Sequence, residues 1–288
     1  MMRAIGNLRC ELGEGVVWDE QRGCVWWVDI ESRALHRCYP GSELITTLTF
    51  EQKIATVVPT TESTLVIGME REIREISEDG RTLRSIPFEA DMPYTRCNDG
   101  KAGPDGGLWI GSMSTRMQTG EASLYYMDRS WNLHLAATDI TISNGLAWSA
   151  DISTLYYIDT PTRQIDAFDY SPADGKISGR RCAVRVPGDL GYPDGMSIDS
   201  RGRLWVAMYG GECVTVWDPD SGELVERIPV PACRVTNLAF GGRDMKDVYI
   251  TTGTDGADQQ RFPDAGKLFH MRSNVAGTPG YFFGRSDS

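Results

Sequence analysis

Histidine is scarce in this chain, positive charge is in deficit, and no long apolar run occurs. Only three histidines are present (His36, His134, His270), none within ligand spacing of another, which leaves no imidazole cluster of the kind that holds catalytic zinc. Lysine and arginine number 29 against 40 acidic residues, a net charge of −11 with no basic block, so the electrostatic footprint for nucleic acid or anionic lipid is missing. No apolar stretch approaches the roughly 20 residues of a membrane span. The opening MMRAIGNLRCELGEG has no apolar signal core or small-residue cleavage site, so a cytoplasmic chain is expected. The seven cysteines are odd in number, scattered, and contain no C-x-x-C pair, which fits reduced, mostly buried thiols better than a disulfide framework or a zinc site. There is no G-x-S-x-G elbow, Walker loop or G-x-G-x-x-G, which removes support for a serine nucleophile or a nucleotide. A sustained 3.6-residue apolar period is also lacking, so helices should be short or absent.

One kind of unit recurs instead. Stretches beginning at Glu14, Asn98, Asn144, Asp194 and Asn237 each carry a polar residue, a short apolar strand, a turn, and a second strand rich in Trp, Tyr, Val and Ile. From the opening residue to the aromatic of the second strand the spacing is 12, 11, 12, 11 and 12 residues. A weaker copy begins at Ala55, and successive starts then differ by 41, 43, 46, 50 and 43 residues. Six units of about this length are the period of a β-propeller. Turn signals in SEDGRTL, DYSPADGKI and WDPDSGEL supply the outer hairpin of a four-stranded blade. DYSPADGKISGR superficially matches a calcium loop, but Arg180 stands where the bidentate Glu belongs, so it reads as a hairpin. The expected fold is all-β, a single six-bladed β-propeller domain of four-stranded antiparallel blades over residues 1–288. Residues 3 to 10 have no blade of their own and should supply the outer strand of the last one, closing the ring.

In a propeller the inner strand of each blade lines a central channel, and its first residue points toward the axis at one end. Glu14, Asn98, Asn144, Asp194 and Asn237 then converge. Taken singly, an Asn or Asp before Gly is a turn former. Five in register, two of them carboxylates, would leave buried charge uncompensated unless a metal ion or a permanent water cluster sits among them. An all-oxygen donor set suits Ca²⁺, Mg²⁺ or Mn²⁺ by hardness, with zinc or ferrous iron as further occupants.

LGEGVVWD, TRCNDGKAGPDGGLWIGSM, ISNGLAWSADISTLYYIDT, FDYSPADGKIS and YPDGMSIDSRGRLWVAMYGG together resemble the SMP-30/gluconolactonase/luciferin-regenerating (regucalcin-like) family, in the family's order, from about residue 10 to about residue 270. The resemblance implies a six-bladed propeller with one divalent metal held by Glu14, Asn144 and Asp194. It implies substrate binding by Arg96 and Asn98, and hydrolysis of sugar lactones with Asp194 as the proton carrier. A divalent ion would polarise the lactone carbonyl and acidify a bound water, while Asp194 moves the proton to the ring oxygen.

The segment GSMSTRMQTGEASLYY departs from the family pattern, with Ser114, Thr115 and Arg116 where an acidic residue contacts the sugar in regucalcin-like members. Arg116 and Glu121 are therefore carried as substrate-contacting candidates, and Arg116 points toward a lactone bearing its own carboxylate. The expected activity is metal-dependent hydrolysis of an aldono- or aldarolactone to the open acid. The alternatives are a metal-dependent esterase or phosphotriesterase-like hydrolase and a non-enzymic calcium-binding propeller. The expected partner is a small-molecule sugar lactone, with no nucleic acid and no membrane, the chain being a monomer or weak homo-oligomer.

Overall fold

The structure is a computed structural model that describes residues 2–284. Among these residues there are strands and two short 3₁₀ turns, Thr160–Thr162 and Gly188–Leu190, and no α-helix. Among the described residues no helix is long and apolar enough to cross a membrane.

Consecutive strands pair antiparallel in groups of four. Gly13–Asp19, Cys24–Asp29, Ala34–Cys38 and Ile45–Thr49 form the first sheet, and Ile54–Pro59, Leu65–Met69, Glu72–Ile76 and Thr82–Pro87 the second. Thr95–Ala102 to Leu133–Ile140 and Ser143–Trp148 to Lys176–Arg185 form the third and fourth in the same way. The remaining strands make an eight-stranded sheet of two meanders, Tyr192–Ile198 to Leu224–Pro229 and Arg234–Gly241 to Leu268–Arg272, joined only by the pair Tyr209 and Arg234. The hairpin turns expected at SEDGRTL, DYSPADGKI and WDPDSGEL each connect the third and fourth strands of a meander.

Closure occurs at the expected seam, with a shorter strand than expected. Arg3–Ile5 adds to the outer edge of Leu268–Arg272, pairing Arg3 with His270 and Ile5 with Leu268. Ile5 packs into a cluster with Val25, Trp27 and Leu268, so the contact spans the first and last meanders. Residues beyond Gly6 leave the sheet, and Cys10 exchanges backbone hydrogen bonds with Gly266 and Thr254.

Burial falls from the first strand of each meander to the fourth. Ile54–Pro59 and Leu65–Met69 are buried throughout, whereas Thr82–Pro87 is mostly exposed. First strands of successive meanders also touch one another: Thr56 Oγ1 donates to Gly100 O (2.8 Å), Ser197 Oγ to Leu238 O (2.8 Å), and Thr236 Oγ1 to Gly13 O. The arrangement is that of a propeller, with the first strands around a central channel. At the far end of the channel the C-terminal segment runs across several sheets, with Thr278 N donating to Ile198 O, Phe283 N to Pro59 O and Gly284 N to Gly106 O.

Candidate active site

The ring positions owe their orientation to β-bulges. Register shifts interrupt the pairing between Glu14 and Val17, Cys97 and Gly100, Ser143 and Leu146, Pro193 and Met196, and Val235 and Asn237. A bulge sets extra residues on one strand against its partner and re-aims their side chains, here into the channel. Bringing them together demands close backbone approach. A Cβ on Gly195 would lie 2.2 Å from Asn237 Cγ, and one on Gly145 would lie 2.7 Å from Asp194 O. The glycines that read as turn formers in NG and DG therefore also make room for neighbouring inner strands.

Hydrogen bonds fix the amides around the ring. Arg96 Nη1 donates to Asn98 Oδ1 (3.0 Å) and to Cys97 O (2.8 Å). Asn98 Nδ2 in turn donates to Asn144 Oδ1 (2.9 Å) and Ser143 O (2.8 Å). Asn144 Nδ2 donates to Thr160 Oγ1 (2.7 Å), whose hydroxyl donates to Pro193 O (2.8 Å), one residue before Asp194. On the other side Glu14 Oε2 accepts from Gly15 N (3.0 Å) and Asn237 Nδ2 (3.2 Å). The Asn237 oxygen is taken by Leu238 N at 2.8 Å.

This polarity narrows the expected ring of five oxygens. Asn98 and Asn237 present N–H groups to Asn144 and Glu14, so they orient those two acceptors. The Asn144 oxygen accepts that one bond, and Glu14, Asn144 and Asp194 are the three that the sequence resemblance names as ligands. Asp194 is buried, 6 % exposed, and its carboxylate accepts no hydrogen bond among the described residues.

Electrostatics sharpen the point. Burial, then the Asp99 charge, push the Glu14 carboxyl up to about 8. Burial, then Glu14 and Asp99, hold Asp194 well above the usual carboxylate range. A cation among them would reverse both effects, because an opposite charge nearby favours the ionised form. Hard oxygen donors from two carboxylates and one amide suit a hard divalent ion, so the residues present fit the metal that the sequence resemblance implies.

A family model described as the SMP-30/gluconolactonase/LRE-like region matches residues 12–254, most of the chain and all of the residues above. The chain belongs to this family. The Bacillus subtilis protein YvrE, provisionally named a sugar lactone lactonase, is 36 % identical over 275 residues, covering 94 % of each chain. Regucalcin of Xenopus laevis is 34 % identical over 272 residues, covering 91 % of this chain and 90 % of its own. Among solved structures, a calcium-binding regucalcin from Agrobacterium tumefaciens superposes with a TM-score of 0.92 at 26 % identity, covering 98 % of this chain and 97 % of that one.

Within this SMP-30/gluconolactonase scaffold the two mouth residues turn out to be partners. Arg116 forms a two-point ion pair with Glu121, lies 4.0 Å over the Tyr94 ring, and keeps half its side chain exposed. Glu121 also accepts from Ser114 Oγ at 2.5 Å. The Ser114 and Arg116 hydrogen bonds hold its carboxyl below the usual range. The Arg116 charge thus has an internal partner in Glu121, while half of its side chain stays open to solvent.

Three residues at this site escape the sequence reading. Thr160 follows a strand end and carries no motif, yet it orients Asn144. Asp99 and Lys101 sit in the quoted NDGK and read as turn chemistry, although both line the channel. Their signal was the i, i+2 spacing on an inner strand, which puts both side chains on one face. Elsewhere, the ligating atoms of Cys10, Asp29 and His36 lie within 4.8 Å of one another. Asp29 is spent there on backbone N–H groups of Glu11, Leu12 and Ser32, and His36 Nδ1 bonds Thr47 Oγ1. Burial drives the thiol up to about 12 and the imidazole down to about 4, so both are neutral. His36 is a packed residue.

Proposed function

We propose that this chain is a single six-bladed propeller that hydrolyses a neutral sugar lactone, an aldonolactone, to the open acid, using one divalent ion at Glu14, Asn144 and Asp194. The observation that carries the reading is the Asp194 carboxylate, a buried residue beside Glu14 that accepts no hydrogen bond among the described residues. Such a group is costly unless a cation completes it. The provisional name of the B. subtilis relative and the calcium noted for the A. tumefaciens regucalcin support the substrate class and the metal class respectively. Calcium is favoured by the oxygen-only donor set. The match of Arg116 to Glu121 supports a neutral lactone over a diacid one.

When bound, the ion supplies a Lewis acid for the lactone carbonyl. The protein does the remainder. Arg96, held between Cys97 O and Asn98, donates to the lactone oxygens, and the Asn98 oxygen accepts from a ring hydroxyl, which converts an encounter in water into a positioned one. Asp194 takes a proton from the attacking water as its oxygen bonds the carbonyl carbon. It returns that proton to the ring oxygen as the C–O bond breaks, so one water is consumed and one hydroxy acid leaves. Asn144 is kept in place by Asn98 and Thr160, and Glu14 by Asn237.

The test is Asp194→Asn, assayed on gluconolactone with a pH indicator under saturating Ca²⁺, Mn²⁺ or Zn²⁺. Turnover should fall by about 10²-fold or more, the scale of a lost acid–base group, while the fold survives. Turnover within a few-fold of the parent would sink the mechanism.

A further inference from the structure

Asp99 occupies, in the third meander, the bulge position that Gly145 and Gly195 occupy in the fourth and fifth. Two residues later Lys101 lines the same channel, and what surface it keeps faces the internal cavity, of about 80 Å³, below the ring. Its ammonium donates to Leu146 O (3.0 Å) and Met196 O (2.7 Å), backbone oxygens of the first strands of the next two meanders. Asp99 is 5 % exposed and accepts from Gly100 N at 2.7 Å. Burial pulls Asp99 up and Lys101 down, each toward its neutral form, and their mutual attraction opposes this. The Asp99 charge also acts on both Glu14 and Asp194.

The channel therefore carries three carboxylates, Glu14, Asp99 and Asp194, against two resident cations, Arg96 and Lys101. Neither cation has a carboxylate within ion-pair distance among the described residues. Arg96 is committed to the mouth, through Asn98. Lys101 is the cation on the inner side.

We propose that Lys101 is a resident cation of the channel, which balances Asp99 from beneath the ring, clamps three inner strands through two backbone oxygens, and sets the charge that an external divalent ion meets. This rests on the reading of Glu14, Asn144 and Asp194 as a divalent site. Without the Lys101 charge, Asp99 adds its full attraction to the ion above it. Without Asp99, the Lys101 charge repels that ion.

The experiment is calorimetric titration of Ca²⁺ into chelator-stripped protein for the parent, Lys101→Met, Asp99→Asn and the double variant. A single charge a few ångströms away moves a neighbouring charge equilibrium by about ten- to a thousandfold; here the Asp99 charge acts on both Glu14 and Asp194, and Lys101 acts through Asp99. Affinity should accordingly rise about tenfold or more in Lys101→Met, fall about tenfold or more in Asp99→Asn, and return to within about threefold of the parent in the double variant. A folded single variant whose affinity matches the parent's overturns the proposal, as does a double variant that stays at either extreme. Should Lys101→Met not fold, Asp99→Asn alone decides.

If the parent takes up no ion, the divalent site itself fails, and the pair is then read by thermal unfolding in EDTA. Lys101→Met should lower the midpoint and adding Asp99→Asn should restore part of it. A double variant no more stable than Lys101→Met overturns the pairing.

Discussion

Metal-stripped protein should lose stability as pH rises from 6.5 to 8, and a divalent ion should abolish the loss. The Glu14 carboxyl has an ordinary value of 4.5 and is raised to about 8 in the fold, so the folded state holds its proton more tightly than the unfolded chain. Its contribution is whole below pH 4.5 and is lost as pH rises through about 8. Asp194 shifts in the same direction for the same cause. His36 works the other way: burial lowers it from 6.5 to about 4, so stability falls as pH drops through that window. The two effects oppose each other below pH 6.5, and only the carboxylate effect is left above it. Over the 1.5 pH units from 6.5 to 8, at about 1.4 kcal/mol per unit, Glu14 alone accounts for roughly 2 kcal/mol. At about 2–4 °C per kcal/mol for a large domain, the midpoint in EDTA should fall by roughly 4–8 °C. The assay is a thermal melt at fixed ionic strength across that range, with EDTA or with excess Ca²⁺, on the parent and Glu14→Gln. The calcium series and the Glu14→Gln EDTA series should both be flatter. An EDTA midpoint that holds steady from pH 6.5 to 8, or a Glu14→Gln protein with the parent's full slope, would refute the reasoning.

Removing residues 2–6 deletes the strand Arg3–Ile5 and opens the edge of Leu268–Arg272; burial of Ile5 alone is worth about 1.5–3 kcal/mol, so the whole domain should melt several degrees lower in one transition, as followed by calorimetry. Thr160→Val strips Asn144 Nδ2 of its acceptor and Pro193 O of its donor, and metal affinity or kcat/KM should drop by about 10- to 100-fold, measured by chelator competition and steady-state kinetics. Arg116→Ala should cost less than about threefold in kcat/KM on gluconolactone and on a diacid lactone alike, because Glu121 and not substrate holds the guanidinium. A loss of about tenfold confined to the diacid would restore the carboxylate-recognition reading.

Much of the architecture was legible because a propeller writes its period into the chain. Each meander needs the same polar opening, apolar strand, tight turn and aromatic strand, so the spacing of Glu14, Asn98, Asn144, Asp194 and Asn237 survives as a one-dimensional pattern. The closure by Arg3–Ile5 followed from counting strands, since the last meander lacked one.

Tertiary structure alone decided which way each polar group faces. An asparagine is donor and acceptor at once, and its residue type alone does not tell that Asn98 gives an N–H to the Asn144 oxygen, Asn144 one to Thr160 and Asn237 one to Glu14. That choice depends on Arg96 and Leu238 N, neighbours on the same bulged strands, and on Thr160, which arrives from the turn after another strand. The same holds for charge. Arg116 read as free because Glu121 is five residues away across a loop, and only the folded loop shows them paired. Asp99 and Lys101 carried no site motif of their own, until the bulge at Asp99 and the strand after it aimed them into a channel whose walls are built from the first strands of distant meanders. Sequence periodicity marked the five opening residues that reach the axis; the packing of separate strands added Asp99 and Lys101 there, and left Asp194 as a buried carboxylate that accepts no hydrogen bond among the described residues.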